Sequence, residues 1–156
     1  MMNKEKMKTA LQDLIYRLQD AEKGYKELLK ASADPRFTQW LNTYANERHR
    51  MHQKIEQMIS KLGGNPEVDT TILGTLHRLF IDIKINNTTL ENQFGAIIDE
   101  IERGATTLIN DYEQVLKEVE FPAEFVNTLM DQKLQISNEL KSMKVLRALE
   151  KQSLVL

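Results

Sequence analysis

The sequence predicts an all-α four-helix bundle: two antiparallel hairpins joined by a long crossover that contains a short helix. Three observations carry this expectation. Apolar residues recur every three or four positions through four long stretches, which places them along one side of a helix. The stretches are separated in pairs by Ala33-Asp34-Pro35 and by Phe121-Pro122, breaks short enough to force antiparallel neighbours. A much longer connection, from Gly63 to Thr88, joins the two pairs.

Helix 1 is expected from about Lys4 to Ala31, with Leu11, Ile15, Leu18, Tyr25 and Leu29 as its stripe and Glu22 inside that stripe. Its internal Gly24 costs roughly 1 kcal/mol relative to Ala and leaves the pattern intact. Asp34 suits an N-cap for helix 2, and Pro35 suits N1, where a missing N–H costs nothing. Helix 2 runs to Leu62 along Phe37, Leu41, Tyr44, Met51, Ile55, Met58 and Leu62, and Arg48 falls near the middle of this face. Gly63-Gly64 stops it, and Asn65 to Thr70 reads as a loop.

A short helix follows, about Thr71 to Ile85, with Ile72, Leu76, Leu79 and Ile83 on one face and Ile81 and Ile85 opposite. It breaks at Asn86-Asn87. Thr88 and Glu91 form a capping box for helix 3, whose face is Leu90, Phe94, Ile98, Ile101, Ala105, Leu108, Tyr112, Leu116 and Val119. Helix 4 begins directly after Phe121-Pro122 and carries Phe125, Leu129, Ile136, Leu140 and Met143, with Gln132 and Glu139 within the stripe. Ser153 to Leu156 is left as a tail. Helix 2 is about 40 Å long at 1.5 Å per residue. The crossover is long enough to span that distance, which permits helices 2 and 3 to run parallel.

The 156 residues amount to one domain, 1–156, long enough to bury a core. A net charge of −2 creates no field that would draw the chain to nucleic acid or lipid. The absence of Cys excludes disulfides, thiolate zinc sites and iron–sulfur ligation. No apolar run reaches the roughly 20 residues of a membrane span, and the N-terminus has no secretory h-region, so a cytoplasmic protein is expected. No Gly-rich phosphate loop or nucleophile–base pair appears.

The polar residues inside the stripes, with Glu102 at the edge of its own, define a buried polar centre: Glu22, Arg48, Glu102, Gln132 and Glu139. Glu22 and Arg48 are expected to face one another across helices 1 and 2. Such a pair could bind a small anion or act in catalysis. It reads more simply as a self-satisfying pair that fixes register, since unpaired inner charges are costly. Tyr25, Tyr44 and Tyr112 read as core rings whose hydroxyls bond buried polar groups. Lys141, Lys144, Arg147 and Lys151 read as a solvated face near a helix C-terminus. Ile81 and Ile85, facing away from the bundle, predict a homodimer.

The hairpin–crossover–hairpin plan, with Glu22-x-x-Tyr25 and Tyr44-Ala45-Asn46-Glu47-Arg48, resembles the ferritin-like superfamily, in particular its small bacterial four-helix bundles of unassigned function, some linked to stress responses. Asp20 to Tyr25, Lys61 to Gly64 and Glu102-Arg103-Gly104 are similar to recurrent phrases of that group. Catalytic members of the superfamily hold two irons with one Glu from each of two helices and a Glu-x-x-His from each of the others. Here the inward pair of helix 2 is Arg48 and Met51, while in helix 4 Gln132 is followed by Gln135 and Glu139 by Ser142. His49, His52 and His77 all miss the required spacing. The resemblance thus implies the fold with a degenerate di-iron site, no cofactor and no metal. The function expected is a non-enzymatic interaction protein in stress or envelope physiology. The alternative is a carboxylate-rich iron or manganese oxidoreductase or store built on Glu22, Glu102 and Glu139.

Overall fold

A computed structural model describes residues 2–31, 35–68 and 90–155, with side chains for 2–30, 35, 38–68 and 94–149. Its helices are α1 (Lys4–Ala31), α2 (Pro35–Lys61), α3 (Leu90–Glu118) and α4 (Ala123–Val155). Among the described residues there is no strand, and no helix is long and apolar enough to cross a membrane. The short helix expected at 71–85, the outward faces of Ile81 and Ile85, the Asp34 cap and the Thr88–Glu91 capping box all lie outside the described residues or side chains.

Local signals set the helix ends. Asn3 caps α1, its side-chain oxygen accepting from the Lys6 amide at 3.1 Å. At the end of α2 the Gly64 amide donates to the Ile59 carbonyl and the Gly63 amide to the Ser60 carbonyl, each at 3.0 Å. That double closure is a Schellman motif, and its turning residue Gly63 has φ 80°, which an L side chain rarely adopts. Gly64 is needed for a different reason: a Cβ there would lie 2.7 Å from Lys8 Cδ and 2.9 Å from Ile59 Cγ2. At the second hairpin the Pro122 carbonyl accepts from the amides of Phe125 and Val126, which starts α4 at once. α4 continues through Ser153 to Val155, where a tail was expected. Nothing in that stretch breaks a helix.

Side-chain pairs fix the helix directions. Between α1 and α2, Glu22 meets His52 and Tyr25 meets Tyr44, so the two are antiparallel. Between α2 and α4, Lys61 pairs with Glu124 at 2.8 Å and Arg48 with Glu139 at 2.5 Å. Between α3 and α4, Glu113 pairs with Lys133 at 3.1 Å and Asp99 with Arg147 at 2.5 Å. Each set is antiparallel, so α2 and α3 point the same way, as do α1 and α4. α1 also lies against α3, where Arg17 pairs with Asp111 at 3.2 Å. The chain leaving α2 turns back along α1: Gln12 exchanges two hydrogen bonds with the Glu67 backbone, and the Tyr16 hydroxyl donates to the Glu67 carboxylate at 2.6 Å.

Burial follows the stripes. One apolar cluster gathers Leu11, Ile15, Leu18, Ile55, Met58, Leu108, Phe125 and Leu129. A second gathers Tyr25, Leu28, Leu41, Phe94, Ile98 and Met143 toward the other end of the bundle. Buried polar residues lie between them, and they form the site.

Candidate functional site

Glu22 lies on the side of α1 that faces α2, where positions 49 and 52 are one turn apart and project toward the same spot. The His49 Nδ1 and His52 Nε2 atoms lie 2.9 and 3.0 Å from Glu22 Oε1. Lys26, one turn along α1, donates to Oε2 at 3.0 Å. Burial alone would push the Glu22 carboxyl up, but the hydrogen bonds from Lys26, His52 and His49 outweigh it and hold the carboxyl below its ordinary range. His52 is buried, and its other nitrogen, Nδ1, faces the Glu56 carboxylate at 3.4 Å. His49 is half exposed and opens the cluster to solvent. One ligand atom from each of Glu22, His49 and His52 lies within 4.8 Å of the others, a spacing able to hold a metal ion.

Arg48 points elsewhere. Its side chain is fully buried, with Nη2 donating to Glu139 Oε2 at 2.5 Å and to the Tyr25 hydroxyl at 3.5 Å. The guanidinium also sits 5.5 Å from the Tyr25 ring centroid. Burial pulls its proton affinity down, but Tyr25 and Glu139 more than offset this, so it stays cationic. Burial, helped by a hydrogen bond with Glu47, pushes the Glu139 carboxyl up to about 8 against the pull of Arg48. Glu139 Oε1 and Glu47 Oε2 are both buried without a donor. The proton that Glu139 retains below about 8 is the one it offers Glu47.

The remaining polar residues complete the layer. The Tyr112 hydroxyl donates to Gln132 Oε1 at 2.5 Å, and Gln132 Nε2 donates to the Met51 carbonyl at 3.2 Å. Burial raises the Tyr112 hydroxyl's pKa, so it remains a donor. Glu102 is partly exposed, and its carboxylate is held by Arg147 at 3.3 Å on the α3–α4 side.

A family described as a domain of unknown function (DUF2383) matches residues 6–118, most of the chain and all of α2 and α3. The chain belongs to the DUF2383 family. No curated protein matches it. The matched part of this DUF2383 chain contains Glu22, Arg48, His49, His52 and Glu102, while Gln132 and Glu139 lie beyond it on α4.

One expectation from sequence needs correction in this DUF2383 bundle. Glu22 and Arg48 are not one another's ion-pair partners: Arg48 pairs with Glu139 and Glu22 with the histidines and Lys26. Residues 48 and 49 are about 100° apart around α2, so the helix that turns Arg48 inward turns His49 toward α1. His49 and His52 stand together in a way the di-iron spacing does not describe. They miss Glu-x-x-His spacing, but as a His-x-x-His pair they share one carboxylate on the neighbouring helix. The signal was present in the sequence, because Glu22 and His49 lie almost equally far before and after the turn at Pro35.

Proposed function

We propose that the protein is a metal-binding four-helix bundle of ferritin-like type that holds one divalent transition-metal ion between Glu22, His49 and His52. The observation that carries this is the convergence of two imidazole nitrogens and an ionised carboxylate from two packed helices. Two imidazoles and a carboxylate form the ligand set of mononuclear zinc and non-haem iron sites, and they favour zinc, iron, cobalt, nickel or copper over magnesium or calcium. Glu56 beside His52 Nδ1 supports this, because ligating histidines usually give their other N–H to a carboxylate. The half-exposed His49 leaves one side of the ion open to water or a small ligand. A di-iron pair is not part of the proposal. Arg48, a permanent buried cation, takes up the carboxylate that α4 would offer it. The order and directions of the helices support the ferritin-like assignment.

The test is titration of metal-free protein with Co2+, followed by its visible absorption and by competition with Zn2+. One equivalent per chain is expected for the parent, and none for Glu22→Gln or His52→Ala. Parent protein that takes up no stoichiometric metal, or binding that survives both substitutions, would overturn the proposal.

Association between copies is a second reading, and one observation favours it. Met130, Leu134, Val145 and Leu149 are all more than half exposed. On α4 they fall within roughly 100° of one another. Sedimentation at micromolar concentration should give a dimer, and Met130→Glu with Leu134→Lys should give a monomer. A parent that sediments as a monomer removes this reading.

A further inference from the structure

We propose that Lys26 is the built-in competitor of the metal: its ammonium holds the Glu22 carboxylate until a divalent ion displaces it, so the site loads by exchanging one cation for another. This rests on the metal reading above and specifies how that site is regulated.

Lys26 lies four residues after Glu22, and Nζ sits 3.0 Å from Oε2. The ammonium thus occupies the oxygen that the imidazoles leave least used: His49 is 2.9 Å from Oε1 and 3.3 Å from Oε2, and His52 bonds only Oε1. A carboxylate offers about four acceptor positions. Lys26, His49 and His52 fill them well enough that neither Glu22 oxygen is among the unpartnered buried atoms. The apolar clusters on either side hold the helices together independently of these bonds.

Exposure divides unequally among the groups. The Glu22 and His52 side chains are only 11% and 4% exposed, whereas Lys26 is 56% and His49 49% exposed. The two fixed groups belong to the bundle interior, and the two that must shift stand at the solvent edge. An incoming ion needs Lys26 to swing into water and His49 to turn, with no helix displaced. A dication and the ammonium cannot share the carboxylate without mutual repulsion across a poorly solvated gap. Lys26 therefore sets the concentration at which the site fills, and the metal stays exchangeable, as suits a buffer or sensor and not a structural ion.

The experiment compares Lys26→Met and Lys26→Arg with the parent in the Co2+ titration. Lys26→Met should bind about tenfold more tightly, the scale on which groups beside a metal ligand act. Lys26→Arg, which keeps the cation, should bind no more tightly than the parent. A second readout is acylation of lysines by a small amine reagent, mapped by mass spectrometry. Lys26 should react faster when Zn2+ is bound, while Lys30, exposed and paired with Glu27, serves as the unchanged reference. Parent binding that depends on His52, with Lys26→Met at parental affinity and Lys26 acylation unaltered by Zn2+, would overturn the exchange and leave the metal site standing. Failure of the parent to bind at all would overturn both.

Discussion

The two halves of the Arg48–Glu139 pair should be unequally expensive to remove, with the glutamate the greater loss. The guanidinium is fully buried and cannot discard its proton at any accessible pH. With Glu139→Leu it loses the 2.5 Å bond at Nη2, keeps the Tyr25 hydroxyl at 3.5 Å and the weak Met51 sulfur acceptor at 3.9 Å, and retains an Nε that already lacks a partner. An uncompensated buried charge costs about 3–5 kcal/mol. Arg48→Met leaves a carboxyl behind, and that carboxyl has an escape. Burial has already pushed it up to about 8, and Glu47 stands within hydrogen-bond reach, so Glu139 becomes neutral by keeping a proton. The loss is then that of neutral hydrogen bonds, about 1–3 kcal/mol. The combined Arg48→Met/Glu139→Leu change removes both polar ends and should cost less than Glu139→Leu alone. Urea unfolding at pH 7, followed by helical circular dichroism, yields all four free energies of the cycle. A lower midpoint for Arg48→Met than for Glu139→Leu, or a double variant less stable than both singles, would refute this order.

The same carboxyl should leave a mark on the pH profile. Its folded pKa lies above the ordinary 4.5, so its contribution to stability is complete below that value and is lost as pH rises through about 8. Parent stability measured against Glu139→Gln should decline across that window; a flat difference would contradict the raised Glu139 carboxyl. Tyr112→Phe strands the buried Gln132 oxygen and should cost about 1–3 kcal/mol, with Tyr112→Phe/Gln132→Leu recovering part of it in thermal unfolding. Gly63→Ala places a Cβ at φ 80° and should cost about 1–2 kcal/mol, whereas Gly63→Asn should cost less; equal midpoints for parent and Ala variant would contradict the Schellman assignment.

What the sequence made legible was local. Pro35, Gly63 and Pro122 punctuate the chain by backbone chemistry that needs no distant partner, so the helix ends fall close to expectation. The stripes marked the core for a related reason: periodicity tells which residues of a helix share a side. It does not tell what that side meets. Arg48, Gln132 and Glu139 were identifiable as inward polar residues, but Arg48's choice of Glu139 over Glu22 depends on how α2 is rotated against α1 and α4 together. His52 is no part of the apolar stripe, and it is buried because Glu22 of α1 packs against it. Glu102, at the edge of its stripe, is drawn to Arg147 by a neighbour on α4 that no periodicity in α3 announces.

The shared direction of α1 and α4 has a mechanical consequence. Residues 2 and 155 stand at opposite ends of the bundle, so tension between them runs lengthwise through it. The α1–α2 and α2–α4 contacts then resist by sliding, with the Glu22 and Arg48 bonds strained together and not peeled one turn at a time. Joining those two ends directly would need a linker about as long as a helix, roughly 40 Å. Copies linked end to end would instead extend as a rod that resists stretch along its whole length.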